Sequence, residues 1–333
     1  MNETAVTSGS RRFCVVQFEF PWVLGPADGR YTIREHLGET PSHVLVLRVL
    51  GAAERRRLLG RRRRGRAIEA TPDQPPEPVV TTRATLVDTA ALDGYEAASR
   101  WLGEADLDAL AAVALARLNR VLHAHRVASA DPFVREVALG QALVVRVGFG
   151  DGARVADARW DRARELAHAA PAAGMTRPRA AALRPQERLA ALLAGRDVAL
   201  ACEELTLRVR LDVDAGRLRE AALGLRVAFE AALAELEPWR DGAGLAGRLA
   251  ELGGRREEVG AAADAALQGG LDDEQTAVVG AVLGRIEAAL RARVVGEGLV
   301  GKSSESCAAS PFHARSFHDA RMAARGPDYF EPY

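Results

Sequence analysis

The single lysine of the chain, Lys302, sits in GEGLVGKS (Gly296–Ser303), the spacing of a phosphate-binding loop in which backbone amides and a lysine cradle a polyphosphate. Such a loop must leave a buried strand and open a helix. Here the preceding VVGAVLGRIEAALRARVV reads as helix and the following SSESCAASPF has no apolar stripe, so the match reads as chance. His123 and His125 form an HxH pair, but residues two apart on a helix point about 200° apart and cannot share one metal. DVDAG (Asp212–Gly216) opens like a calcium loop, yet its twelfth position is Leu223 where a bidentate glutamate is needed; it reads as a helix-helix turn. GFGDG (Gly148–Gly152) lacks the GxGxxG spacing of a dinucleotide loop. No catalytic, cofactor-binding or metal-binding residue is therefore named.

The densest chemistry is basic. Arg55, Arg56, Arg57, Arg61, Arg62, Arg63, Arg64 and Arg66 fall within twelve positions, with Glu54 as the one nearby acid. Such a run can contact several phosphates without specifying sequence. It contains no aromatic on which a base could stack. It reads first as a solvated, self-repelling loop, with non-specific nucleic-acid contact as the alternative.

Bulk composition limits the function classes. Lys plus Arg and Asp plus Glu both number 45, so no global field draws the chain to phosphate or to an acidic membrane. Because Lys302 is the sole lysine, arginine abundance reads as the codon bias of a GC-rich bacterial genome rather than as function. Cys14, Cys202 and Cys307 lie far apart with no CxxC or Cys/His pairing, which implies neither a zinc site nor a disulfide framework and suits a reducing cytoplasm. No leader-like segment and no run of about 18 apolar residues is found, so a cytoplasmic chain without a membrane partner is expected.

The elements that must position any site fall into two halves, as a soft prior of about 150 residues per domain suggests for 333 residues. Residues 1–12 read as disordered. Residues 13–162 read as an α+β domain, a mixed sheet with two packed helices. Its strands are FCVVQFEF (Phe13–Phe20), a short YTIRE strand, HVLVLRVL (His43–Leu50), TTRATLVD (Thr81–Asp88), and a hairpin over Gln141–Val155 turning at Asp151-Gly152. Two helices, Ala90–Leu102 and Asp106–Ala128, lie between the last strands; the second carries a buried stripe of Leu107, Leu110, Ala114, Leu118, Val121 and His125. An Arg/Pro-rich loop spans residues 53–80, and long loops of this kind are functional or disordered. Residues 163–184 read as a linker, 185–295 as an all-α helical-bundle domain, and 296–333, with its FHARS and FHDAR near-repeat, as a flexible tail.

The strongest local signal is the segment from Asp197 to Pro238. Its second half places Leu218, Ala221, Ala222, Leu225, Phe229, Ala232 and Leu236 on one helix face, answered by Val198, Ala201, Cys202, Leu205 and Val209 in the first half. In AGRLREAALGLRVAFEAAL, residues Gly216, Leu218, Glu220, Ala221, Leu225 and Ala228 stand where a tetratricopeptide repeat has its turn glycine and its packing residues, and Leu205 fits the first helix's bulky position. The stretch resembles one such helical hairpin over some forty residues, although Asp212 departs from the pattern and no second copy follows. That resemblance implies an interaction scaffold. Arg208, Arg210, Arg217, Arg219 and Arg226 interleave with Glu203, Glu204, Glu220 and Glu230, as on a solvated salt-bridged face.

Three function classes follow. The leading one is a cytoplasmic, non-enzymatic adaptor whose helical domain docks another protein or itself. The second is a nucleic-acid-associated accessory protein using Arg55–Arg66. The third is an enzyme with a pocket between the sheet and its helices, with Asp88, Asn119, Arg126, Asp131 and Arg135 as conceivable liners.

Overall fold

The computed structural model describes residues 11–36, 38–51, 79–155, 157–167, 185–242 and 244–300, the side chains of residues 153 and 295–300 apart. Residues up to 167 and residues from 185 on fall in two separate compact units. The loop with Arg55–Arg66, most of the expected linker and the tail beyond Val300 lie outside the described residues.

Six strands build the first unit: β1 (Arg12–Phe20), β2 (Gly29–Ile33), β3 (His43–Leu50), β4 (Thr81–Leu92), β5 (Val144–Gly150) and β6 (Arg162–Glu165). They form one sheet in the order β2-β3-β4-β1-β5-β6. The α+β class is as expected, but every pairing is antiparallel, so the sheet is not mixed. The reason is positional. Helices α1 (Gly94–Glu104) and α2 (Leu107–Ser129) carry the chain from β4 over β1 to β5, so the two strands that run the same way never become neighbours.

Alternation along the strands sends Phe18, Phe20, Leu45, Leu47, Leu86, Val145 and Val147 to one face, where they bury Leu102, Leu118 and Leu122 of the two helices. Each such buried side chain contributes roughly 1.5–3 kcal/mol. On the opposite face Val15, Val87 and Val155 cluster with Phe13, Val44 and Trp160. Beside them the buried Gln17 amide donates to Thr85 Oγ1 at 2.9 Å.

Three local readings are corrected. Strand β4 continues through Ala90 to Leu92, so the first helix starts at Gly94 and not at Ala90. The hairpin at Asp151-Gly152 is not a tight turn: Asp151 O accepts from Arg154 N and Val155 N, a single helical turn, α3 (Gly152–Val155), follows, and the return strand is β6. Burial of the Val155 side chain against Val15 and Val87 explains why the chain coils there instead of continuing extended. Strand β6 itself occupies the start of what reads as a linker, and only the sheet edge reveals it.

The second unit is helical throughout its described residues: α4 (Pro185–Leu193), α5 (Ala201–Asp214), α6 (Leu218–Glu235), α7 (Leu245–Gly253), α8 (Arg256–Gln268) and α9 (Asp273–Val300). Helices α5 and α6 form the expected hairpin, turning at Gly216 with φ +71°, a left-handed conformation that glycine adopts at little cost. Ala221, Ala222, Leu225, Ala228, Phe229, Ala232 and Leu236 are buried as the stripe requires. On the facing helix the stripe is Cys202, Thr206 and Val209; Val198 and Ala201 are exposed, because helix α5 starts only at Ala201. No Ser, Thr or Asp caps that start. Its free amides are taken instead by Glu235 at the far end of α6, which accepts from Cys202 N at 2.8 Å and Ala201 N at 3.3 Å.

Charges join the helices. Arg210 pairs with Glu287 of α9, Arg226 with Asp264 of α8, and Glu230 with Arg256, so the salt-bridged face is solvated as expected, but several of its pairs reach to other helices. The Arg293 side chain is 1% exposed, stacks over Trp239 at 4.5 Å, and donates to Asp197 at 2.9 Å. Glu203 lies 3.4 Å from Arg293 and 2.7 Å from Arg188, which also reaches Asp197. Burial opposes ionisation of Asp197, but Arg188, Arg293 and the Val198 amide outweigh it, and its pKa falls below the ordinary 3.8.

Removing Arg293 leaves Asp197 and Glu203, both largely buried, with Arg188 as their remaining cationic partner among the described residues. Arg293→Met should destabilise the protein by about 3–5 kcal/mol in urea denaturation. The stabilisation from Asp197 is complete above 3.8 and is lost as pH falls through its lowered value, so the variant should also show a smaller loss of stability on acidification than the parent. A change below about 0.5 kcal/mol at neutral pH would refute a network that ties α5 to α9.

Candidate functional site

Pro21 ends β1, since it cannot donate to the sheet, and sends the chain into a loop over residues 21–28. Thr82 of β4 fastens this loop: its hydroxyl donates to Trp22 O at 2.7 Å and accepts from Leu24 N at 3.3 Å. The Trp22 indole leans on Phe20, with ring centroids 5.6 Å apart, yet remains 37% exposed.

The facing wall follows the end of α2. Ala130 turns the chain in a left-handed conformation, and Asp131 Oδ1 accepts from Phe133 N at 2.9 Å to shape the turn. Asn119 of α2 then grips Val137 as a strand would, its amide donating to Val137 O and its oxygen accepting from Val137 N, both at 2.8 Å. Val134 and Val137 are thereby pinned into the core.

Between the two walls lies a cleft of about 430 Å³, in the size range of ligand pockets. Its apolar surface comes from Trp22, Val23, Leu24, Val134 and Val137, and its polar surface from Asp131, Arg135, Glu136 and Gln141. Phe133 stands on the lip at 83% exposure. Arg135 is exposed and has no ion pair among the described residues. The Glu136 side chain is only 6% exposed and lies 3.9 Å from His123 Nδ1, which accepts a hydrogen bond from Arg126 at 2.9 Å.

Gly25 closes one end. Its φ is +123°, and a Cβ there would lie 3.2 Å from both His125 Cδ2 and Val134 Cγ2. His123 and His125 thus point to different neighbours, as an HxH pair on a helix must, and neither takes part in a group of three or more candidate metal ligands among the described residues.

Of the residues named from sequence, Asp131 and Arg135 line the cleft, Asn119 and Arg126 support it from α2, and Asp88 stands at the opposite end of the sheet, paired with His43. Arg55, Arg56, Arg57, Arg61, Arg62, Arg63, Arg64 and Arg66 lie outside the described residues. Gly296–Val300 belong to helix α9, an arrangement opposite to a phosphate loop leaving a strand, while Gly301–Ser303 lie outside the described residues. Sequence reasoning missed Trp22 and Phe133. Both follow a proline, in FPW and DPF, in a loop just past the end of an element, where no periodic stripe marks them.

Thiolate chemistry is suppressed at both described cysteines. Burial first, and then Asp88, push Cys14 up to about 12. Burial first, and then Glu235, do the same to Cys202, also to about 12.

No protein-family model matches the chain, and neither a curated protein nor a solved structure is significantly similar to it.

The Gly25 geometry can be checked directly. Gly25→Ala should cost about 1–3 kcal/mol, measured by thermal or urea unfolding, because a methyl group meets both a strained φ and two close neighbours. An unchanged midpoint would show that the loop closes the cleft in some other conformation.

Proposed function

We propose that the chain is a recognition protein whose N-terminal unit binds an amphiphilic anion, a ligand or partner segment that carries an apolar or aromatic group beside a negative charge. One observation carries this reading: an aromatic-lipped cleft has at its wall a guanidinium, Arg135, that has no ion pair among the described residues. Phe133 extends the apolar wall of the groove, and a contiguous exposed apolar patch is the kind of surface that marks a binding groove. Trp and Arg are also the residue types that dominate binding energy at protein surfaces. Both walls are anchored by Thr82 and Asn119, so little ordering cost falls on the ligand. The reading needs no catalytic group and suits a cytoplasmic protein; no described helix is long and apolar enough to cross a membrane.

The reading is tested with anilinonaphthalene sulfonate, an aromatic anion whose emission rises in apolar sites. It should bind the full chain with one-to-one stoichiometry. Phe133→Ser and Arg135→Ala should each weaken it several-fold without shifting the unfolding midpoint, as both side chains are exposed. Binding that survives both substitutions would place the probe elsewhere and refute the cleft as its site.

A second surface is supported on the helical unit, where docking of another protein is the expectation from sequence. Leu207 and Leu211 on α5, and Leu223 and Val227 on α6, are pairs four residues apart that face solvent while the inner stripes are buried. If this unit docks a partner or a second copy, Leu207→Glu combined with Leu211→Glu should abolish that association in sedimentation velocity while leaving the circular dichroism spectrum unchanged. Association that is indifferent to the pair would exclude the α5 face.

A further inference from the structure

We propose that the cleft's ligand is an extended peptide segment, carrying an acidic residue beside an aromatic one and held by backbone hydrogen bonds to the two walls. This rests on the cleft reading above and names its ligand class. The argument begins with the hydrogen bonds of the walls themselves. The Thr82 hydroxyl accepts from the Leu24 amide and donates to the Trp22 carbonyl, and the Asn119 side chain pairs with both backbone groups of Val137. Beside these fastenings, Val23 and Gly25 on one wall and Val134 and Arg135 on the other make no backbone hydrogen bond among the described residues. All four line the cleft.

Val134 carries the most weight. It is only 7% exposed, with its side chain pinned in the core, and the backbone groups of a residue so deeply set are almost always paired. An N–H and a C=O left bare in such a place cost stability, which a ligand that answers both recovers.

Both walls thus offer donors and acceptors together, and this selects among ligands. An extended polypeptide presents an N–H and a C=O along each edge, repeating about every 7 Å, and a groove wall can pair with them as a neighbouring strand does. A single-stranded nucleic acid presents phosphate acceptors without a recurring backbone donor, and the chain of a lipid anion presents neither. The side chains of the segment are chosen by the same walls. An aromatic group lies against Trp22 and Phe133, and a carboxylate beside it meets Arg135, which has no ion pair among the described residues. Asp131 Oδ1 is already engaged by the Phe133 amide, and Glu136 is largely buried near His123, so Arg135 sets the sign.

The test is fluorescence anisotropy of the full chain with a labelled mixture of capped heptapeptides, each with phenylalanine at the centre, glutamate on either side of it and the remaining positions randomised. Binding is expected. The same mixture N-methylated at alternate residues, which keeps every side chain and removes the donors of one edge, should bind at least about fivefold more weakly. Replacing the glutamates with glutamine should weaken binding to the parent several-fold and leave binding to Arg135→Ala unchanged. Amide hydrogen exchange at Val134 and Arg135, followed by NMR, should slow at least about tenfold at saturation with peptide and stay as it was with the sulfonate probe.

Equal affinity of the N-methylated and parent mixtures, or unchanged exchange at Val134 and Arg135 with peptide bound, overturns the proposal. So does an oligothymidylate that binds more tightly than the peptides, which would name a nucleic acid in their place. Retained sulfonate-probe binding with no peptide binding would sink this inference alone, whereas loss of both would sink the cleft reading as well.

Discussion

The position of β1 at the centre of the N-terminal sheet is the constraint from which the rest of that unit follows. It pairs antiparallel with β4 on one side and β5 on the other, so the chain must cross over it, and helices α1 and α2 are that crossing. Phe18 and Phe20 anchor the helices from below. Where β1 stops, at Pro21, the helix layer is also ending, with His125 packed on Gly25 and the chain turning at Ala130. A gap at that corner is the geometric result of a strand and a helix ending together, and tightly hydrogen-bonded walls keep it open. The same register brings the end of β3 and the start of β4 to this corner.

A zero net charge conceals two different uses of arginine. In the helical unit Arg188, Arg210, Arg226, Arg256, Arg285 and Arg293 are all matched to carboxylates, most of them on other elements. Of these pairs only the Arg188 and Arg293 cluster is largely buried, where an unmatched charge would be expensive; the others lie at the surface, where an ion pair contributes little. At the cleft end of the sheet Arg48 and Arg135 have no such match among the described residues.

Much of the fold was legible because it depends on local periodicity. Period-two runs located β1, β3 and β4, the stripe through Ala114 and Leu118 located α2, and the stripe from Ala221 to Leu236 together with Gly216 located the α5–α6 hairpin. What was not legible depends on partners distant in sequence. Strand β6 is short and polar and exists only by pairing with β5. The α5 cap is a glutamate at the end of the following helix. The turn α3 is set by where Val155 can be buried. Of the cleft, Asp131 and Arg135 could be suspected as polar residues near element ends, but Trp22 and Phe133 stand outside every stripe, and sequence cannot say that β1, ended by Pro21, and α2, ended at Ala130, finish at one corner.

The two walls of the groove are held by hydrogen bonds between elements distant in sequence, Thr82 of β4 to the Trp22 carbonyl and Asn119 of α2 to Val137, and by the close approach of Gly25 to His125 and Val134. Walls ordered in this way before any ligand arrives lower the entropy that binding must overcome. Under the proposed reading, discrimination would therefore come from shape and from the faces that Trp22 and Phe133 offer, and the charge of Arg135 would set the sign of the ligand.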